Sequence, residues 1–214
     1  MRNFKALFFD IDGTLVSFNT HRIPDSTVQA LRAAKQKGVM VFISTGRPIH
    51  IINNLGQIDD LIDGYITTNG AYCFIGKEQV CMNAISEDEV AVIMDACRQW
   101  DRPIVMSGKD EVAVFNYKQD VDDIFNKWLG VSCIDYSLPA ERLLCKPILQ
   151  MTPFISPSQE EELMALLPGC TSGRWTPQFT DITCSKADKG KGLAAMARHL
   201  GFDIHDTMAF GDGG

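Results

Sequence analysis

The sequence predicts an α/β protein with a Rossmann-like parallel sheet core and an inserted α+β cap domain. Short apolar strands alternate with amphipathic helices in the first eighty residues, and the same alternation returns after residue 181. Between these regions, short strands and helices are mixed, as is typical of a separate α+β module. We therefore expect a core of residues 1–82 and 179–214 and a cap of residues 83–178.

The first strand leads into the most informative segment of the chain. Residues 6–9 are all apolar, as in a buried parallel strand, and Asp10-Ile11-Asp12-Gly13-Thr14 follows them directly. Ligands of open α/β sheets bind beyond the carboxyl ends of strands. Two neighbouring carboxylates repel each other unless a cation or a shared proton joins them, and Mg²⁺ prefers oxygen ligands. The alternative is a simple Asp/Gly turn.

A helix and a second strand follow, and together they complete a βαβ unit. The helix is expected between residues 24 and 38 and to begin with a Ser26–Gln29 capping box. The strand is expected over 39–44. A right-handed crossover brings both strand ends to one edge of the sheet, so Thr45 should lie near the acid pair.

The remaining elements are assigned from periodicity, capping residues and turn residues. We expect a short helix over 49–58, a strand over 64–68, a hairpin turn at Asn69-Gly70, a helix capped by Ser86 and Glu89, strands at 103–106 and 112–116, a helix over 120–129, a strand over 145–151, a helix from near Ser158, an amphipathic helix after Lys189 and a strand over 207–210.

Composition and charge restrict the class of partner. The chain has 214 residues, a formal net charge of −7 and a composition typical of a globular protein. This charge argues against nucleic acid or a membrane as the main partner. The seven cysteines contain no Cys-x-x-Cys pair, so zinc and redox motifs are absent and several thiols should be core residues. With no signal-peptide core, we expect a cytoplasmic protein, and a monomer is favoured.

The ordered motifs resemble those of the haloacid dehalogenase-like phosphatases, in particular the Cof-type branch with its large inserted cap. The resemblance covers essentially the whole chain. It is carried by five segments: Asp10-Ile11-Asp12-Gly13-Thr14, Thr45-Gly46-Arg47, Asn69-Gly70-Ala71, Lys189-Gly190 and Gly211-Asp212-Gly213-Gly214.

The resemblance implies four catalytic residues. Asp10 would be the nucleophile, forming an aspartyl-phosphate, and Asp12 would be the general acid and base. Thr45 would donate its hydroxyl to a phosphoryl oxygen, and Lys189 would neutralise charge. Without the family context, Thr45 could simply cap the helix after it, and Lys189 could be a solvated lysine.

The resemblance also implies the ligand set. A small phosphate ester, expected to be a sugar phosphate, would be bound with help from Thr14, which also orients Asp12, and from Gly46, Arg47 and Asn69. Asp10, the backbone carbonyl of Asp12, and Asp212 would hold Mg²⁺. Simpler roles stay open for three of these residues, namely a surface salt bridge for Arg47, the hairpin turn for Asn69 and a structural turn for Asp212.

Two further expectations concern the end of the chain and the competing functions. Family sequences continue with Asn-Asp and about another fifth of the chain, so we expect a C-terminally truncated form with weakened activity. The alternatives to a phosphatase are a phosphoacceptor module of the receiver type, a catalytically impaired partner-binding relative, and a phosphomutase. The inserted cap argues against a receiver, because it suits a lid over a small substrate.

Overall fold

A computed structural model describes residues 4–17 and 19–212 and divides the chain into two compact units. The core unit comprises Met1–Arg47, Ile52–Met82 and Ala187–Gly214, and the inserted unit comprises Pro48–Ile51 and Asn83–Lys186.

The described residues form eleven strands and five α-helices. The strands are β1 (Ala6–Phe9), β2 (Met40–Ser44), β3 (Gly64–Thr67), β4 (Tyr72–Ile75), β5 (Glu78–Met82), β6 (Ile104–Gly108), β7 (Val112–Phe115), β8 (Ile148–Pro153), β9 (Cys170–Gly173), β10 (Asp181–Cys184) and β11 (Thr207–Phe210). The α-helices are α1 (Asp25–Gln36), α2 (Glu87–Gln99), α3 (Gln119–Asp122), α4 (Pro157–Met164) and α5 (Lys189–His199).

The core unit is built on a six-stranded sheet in the order β11-β1-β2-β3-β4-β5. The first four strands are parallel, whereas β4 and β5 are antiparallel additions. Helix α1 contributes Leu31 to a buried cluster on one face, and α5 contributes Met196 to the cluster that contains Phe8 and Phe42. This arrangement confirms the α/β class and the Rossmann-like core, because apolar side chains on both faces of the strands need helices to cover them.

The inserted unit has its own sheet, in the antiparallel order β7-β6-β8-β10-β9, and its own hydrophobic core. One face of this sheet packs against apolar residues of α2 and α4, including Ile93 and Leu163. Strand β10 belongs to this sheet because it pairs with both β8 and β9. The inserted unit therefore extends to Lys186, whereas the sequence predicted a boundary after residue 178.

The first of the two predicted capping boxes does not form, and the second forms only in part. Helix α1 begins at Asp25 directly after Pro24, so Ser26 lies inside the first turn and no side chain caps the helix. At α2, Ser86 does cap, since its hydroxyl accepts from the backbone N–H of Glu89 at 3.3 Å. The Glu-rich helix α4 begins at Pro157, one residue before the predicted start, and Ser156 forms a full capping box with Gln159.

Two predicted helices differ in form. Only a 3₁₀ turn at Ile49–Ile51 is helical within residues 49–58, because Asn53, Asn54 and Gly56 favour turns over helix. The predicted helix over 120–129 is a short α-helix, α3, followed by a π-helix at Asp123–Trp128. None of the helices in the described ranges is long and apolar enough to cross a lipid bilayer.

Candidate active site

Asp10 follows the carboxyl end of β1, which lies between β11 and β2 in the core sheet. Its backbone N–H donates to the carbonyl of Phe210 on β11 at 3.0 Å, which fixes the start of the turn. One carboxylate oxygen accepts from the N–H of Ile11 at 2.8 Å, and the other accepts from Lys189 Nζ at 2.8 Å. Two donors on separate oxygens fix the orientation of the carboxylate.

Lys189 reaches Asp10 because α5 begins at the lysine itself. The Asp188 side chain caps the helix by accepting from the backbone N–H of Lys191 at 2.8 Å. The ion pair is partly buried, with the lysine and aspartate side chains 37% and 20% exposed. The two residues lie 179 positions apart in sequence, so their contact depends on the fold.

Asp12 is held by Arg47 in a bidentate ion pair. Arg47 Nε and Nη2 donate to the two carboxylate oxygens at 2.7 and 2.8 Å. The guanidinium is largely buried, at 17% exposure, so this pair differs from the solvated surface salt bridge that the sequence left open. Planar, two-point pairing of this kind is the strongest geometry of the arginine–carboxylate contact.

Thr45 follows β2 and is fully buried. Its hydroxyl accepts from the backbone N–H of Arg47 at 3.1 Å, and its carbonyl accepts from the N–H of Asn69 at 3.1 Å. The hydroxyl proton of Thr45 is therefore available for donation to another acceptor. Gly46 lies against Asn69, since a Cβ added at this glycine would stand 3.0 Å from the side-chain oxygen of Asn69.

The turn at residues 68–70 brings Asn69 and the start of α5 into one region. It joins the antiparallel strands β3 and β4, which confirms the predicted hairpin, and Thr68, Asn69 and Gly70 all have positive φ. A Cβ added at Gly70 would stand 2.3 Å from the carbonyl oxygen of Asp188. Glycine is required here both for φ and for the close approach of the α5 N-terminus.

Thr14 does not make its predicted contact with Asp12. Its hydroxyl oxygen is buried and has no hydrogen-bond partner within the described ranges. Both carboxylate oxygens of Asp12 are instead bound by Arg47. Arg47 therefore orients Asp12 in this structure.

Asp212 lies just past β11, and Gly213 and Gly214 of its motif fall outside the described residues. Phe210 is the register partner of Phe9, so the parallel strands β11 and β1 end at the same edge of the sheet. Among the described residues there is no cluster of three or more acidic, histidine or cysteine side chains that could hold a metal. The predicted set needs only two carboxylates and a carbonyl, and Mg²⁺ commonly binds through one or two carboxylates and keeps its remaining waters. The oxygen donors thus fit Mg²⁺ in chemistry and in number.

Sequence reasoning missed two groups that shape this site. One is the N–H of Ile11, a backbone donor that carries no signal of residue type. The other is Asp188, which fixes where α5 begins and hence where Lys189 points. A signal for Asp188 was present, because an aspartate directly before a helical pattern is a typical N-cap.

Taken together, the geometry can support phosphoryl transfer. It offers an oriented carboxylate at a strand end, a second acid close by in sequence, a lysine ammonium on the first acid and a buried hydroxyl with a free proton. A carboxylate nucleophile, an acid–base partner and positive charge on the transferring group are what such a reaction requires.

Comparison with known proteins also supports phosphoryl-transfer chemistry. The sequence profile of the haloacid dehalogenase-like hydrolases matches residues 7–214. Among curated proteins, YkrA of Bacillus subtilis strain 168, named as a candidate phosphatase, is 28% identical over 213 residues, with 98% of this chain and 79% of that protein covered.

Two solved structures are more similar in sequence. One is described as the HAD subclass IIB sugar phosphatase BT4131; it is 47% identical, has a TM-score of 0.89, and the match covers 98% of this chain and 81% of that one. The other is described as showing a conserved trigonal-bipyramidal intermediate in a phosphoryl-transfer superfamily; it is 46% identical, has a TM-score of 0.90, and the match covers 99% and 81%.

Proposed function

Because this chain belongs to the haloacid dehalogenase-like hydrolases and is a phosphatase, we propose that it hydrolyses small phosphate monoesters through an aspartyl-phosphate on Asp10. The observation that carries the proposal is the double contact of Asp10, with Ile11 N–H on one oxygen and Lys189 on the other. A nucleophilic carboxylate must be correctly oriented before the substrate binds, and these two donors fix its orientation.

In the first step, an oxygen of Asp10 attacks phosphorus and the bond from phosphorus to the leaving oxygen breaks. Lys189 neutralises the charge of Asp10 and of the transferring group, because its ammonium already lies 2.8 Å from the nucleophile. The Thr45 hydroxyl donates to a phosphoryl oxygen, for which its free proton is suited. Gly46 and Asn69 lie beside this hydroxyl, and Thr14 supplies a second hydroxyl for binding the substrate.

Asp12 gives the leaving oxygen its proton and later takes one from the water that hydrolyses the aspartyl-phosphate. Arg47 occupies both carboxylate oxygens of Asp12, whereas a general acid must present one of them to the leaving oxygen. We therefore include a switch of partner in the mechanism: Arg47 leaves Asp12 for the anionic substrate, and Asp12 then carries the proton.

Mg²⁺ would be held by Asp10, the backbone carbonyl of Asp12, and Asp212, and when bound it would reduce repulsion between the nucleophile and the phosphate oxygens. This fits an acidic protein that acts on an anionic substrate, since its net charge of −7 alone would repel phosphate.

Sugar phosphates are the substrate class we favour. The support is the 47% identical relative, which is named as a sugar phosphatase. A panel of hexose, pentose and triose phosphates, compared with nucleotide phosphates, tests this part of the proposal separately from hydrolysis itself.

The direct test is Mg²⁺-dependent release of phosphate from p-nitrophenyl phosphate and from this panel. Asp10→Asn should lower the rate by a factor on the order of 10³ or more, because an amide is a poor nucleophile. Lys189→Met should lower it by a factor on the order of 10² or more. Lys191→Met is the matched control, two positions further along the same helix, and should retain activity. Unchanged rates in Asp10→Asn would rule out the nucleophile assignment.

A second measurement follows the intermediate. Asp12→Asn should slow hydrolysis of the aspartyl-phosphate more than its formation when the leaving group is a good one, as in p-nitrophenyl phosphate. Acid-quenched protein should then carry phosphate that is labile to hydroxylamine and is absent in the Asp10→Asn, Asp12→Asn double variant.

A further inference from the structure

Four of the seven cysteines lie directly opposite one another on neighbouring antiparallel strands. Cys73 on β4 is the register partner of Cys81 on β5 in the core unit, and Cys170 on β9 is the partner of Cys184 on β10 in the inserted unit. Facing residues of antiparallel strands have Cα atoms about 4.5–5.5 Å apart, which lies within the range that a disulfide spans. All four thiols are free.

The two pairs differ in how their sulfurs interact. At the first pair, the interaction of Cys81 with the side chain and backbone of Cys73 lowers the pKa of Cys81 to about 7. The interaction with Cys81, together with burial, raises the pKa of Cys73. At the second pair, burial is the main cause that raises the pKa of Cys170 to about 12. The first pair therefore combines cysteines in register on neighbouring strands with a lowered pKa at one of the two thiols, Cys81.

The two cysteines of the first pair also differ in solvent exposure. Cys81 lies on β5, the edge strand of the core sheet, and is partly exposed, whereas Cys73 is fully buried. A small oxidant can thus reach Cys81, and Cys73 is placed to react with whatever forms there. An accessible thiolate beside a second cysteine is the arrangement found at redox-sensitive sites.

We propose that Cys73 and Cys81 form a redox modification site, at which hydrogen peroxide converts the two facing thiols into a cross-strand disulfide. This inference does not depend on the phosphatase reaction. It replaces the interpretation from sequence, which found no redox motif because the two cysteines are eight positions apart and only the β4–β5 hairpin brings them together.

The chemistry balances in two steps. The Cys81 thiolate attacks one oxygen of peroxide, so that an S–O bond forms, the O–O bond breaks and the departing hydroxide takes up a proton as water. The Cys73 sulfur then attacks the Cys81 sulfur; the S–S bond forms, the S–O bond breaks, and hydroxide leaves as water with the proton of Cys73. Two thiols are oxidised, and one peroxide is reduced to two waters.

The site adjoins the turn that seats α5. The Cys73 sulfur lies 3.9 Å from the carbonyl oxygen of Gly70. A Cβ added at Gly192 of α5 would stand 3.1 Å from the same sulfur. A disulfide to Cys81 would therefore form within the packing between β4 and the helix that begins with Lys189.

The test uses the whole folded chain. The reduced protein is treated with hydrogen peroxide at pH 7.5, quenched with an alkylating agent and digested with trypsin. Cleavage after Lys77 separates Cys73, in residues 38–77, from Cys81, in residues 78–98. Because the second peptide also contains Cys97, fragmentation of the linked pair in the mass spectrometer assigns the bond to Cys81 or to Cys97. We expect a disulfide-linked pair of these peptides, formed at least about tenfold faster than a Cys170–Cys184 link and reversed by dithiothreitol.

Matched variants complete the experiment. Cys184→Ser should leave the 73–81 link unchanged, whereas Cys81→Ser should abolish it without a new link from Cys73 to any other cysteine. Since the link is mapped in the unmodified sequence, the test does not depend on either variant folding. Oxidation of Cys81 to a sulfinic acid with Cys73 still free, or a link that forms only in urea, would overturn the proposal.

Discussion

Among the single residues, Arg47 best shows how a contact decides a role. The sequence placed it after Thr45 and Gly46 and left two interpretations, a substrate contact and a surface salt bridge. In the structure it binds both oxygens of Asp12 and is largely buried. A guanidinium in this position can orient Asp12 and can also bind an anionic substrate.

We expect Arg47→Ala to lower kcat/KM by about 10- to 100-fold, since charge-assisted hydrogen bonds contribute about 1.5–3 kcal/mol. Arg47→Lys should recover only part of this loss, because an ammonium cannot make the two-point contact. The measurement is steady-state kinetics on p-nitrophenyl phosphate.

Arg32→Ala is the matched control for this prediction. Arg32 also contacts an aspartate, Asp60, but the pair is exposed on the surface and contributes little. Activity in Arg32→Ala should therefore equal that of the parent chain. Equal losses in Arg32→Ala and Arg47→Ala would contradict the role given to the buried pair.

Among the elements, the 68–70 turn and α5 act together. The turn has positive φ at three successive residues, and Gly70 lets the backbone of Asp188 approach closely. Asp188 then caps α5, and the helix starts with the lysine that contacts Asp10. The position of Lys189 is thus set by a glycine more than a hundred residues earlier in the chain.

We predict that Gly70→Ala lowers the free energy of unfolding by about 2–5 kcal/mol, the sum of left-handed strain and steric overlap. Gly76→Ala is the matched control, because Gly76 also has positive φ but has no atom within 4 Å of an added Cβ. It should lose only about 1–2 kcal/mol, from backbone strain alone. Urea denaturation at an unchanged m-value measures both, and equal losses would show that the approach of Asp188 is not limiting.

At the scale of the whole molecule, the negative net charge of the chain is compensated locally at the carboxylates of the candidate site. The net charge is −7, yet Asp10 and Asp12 are each compensated by a cation in the core unit. Asp212 is exposed past the end of β11, a strand that pairs directly with β1. A divalent ion at this edge of the sheet would link the two ends of the core sequence.

If Mg²⁺ binds there, it should stabilise the folded chain, by about 2.7 kcal/mol when its concentration is a hundred times the dissociation constant. The thermal midpoint should rise with Mg²⁺ and return when EDTA is added. Asp212→Asn should remove most of the rise, whereas Asp206→Asn, which alters a surface pair with Lys5, should keep it. The same rise in both variants would exclude Asp212 as a ligand.

Local patterns in the sequence determined much of this fold. The apolar run before Asp10, the strand over 207–210 and the helix after Lys189 could be predicted because burial and periodicity are properties of neighbouring residues. The acid pair could be assigned to a strand end for the same reason. The Ser26 capping box failed because a matching pair of residues does not fix which backbone position becomes the cap.

Tertiary structure alone decided which side chains meet. Arg47 contacts Asp12 across 35 positions, Gly70 packs on Asp188, and Cys73 faces Cys81. These contacts depend on strand register and on how α5 packs against the sheet, and both are set by the burial of apolar side chains throughout the core unit. The sequence by itself determined the strands and helices that carry the motifs and the likeness of those motifs to a phosphatase family, and folding decided the partners of each charged group and thiol.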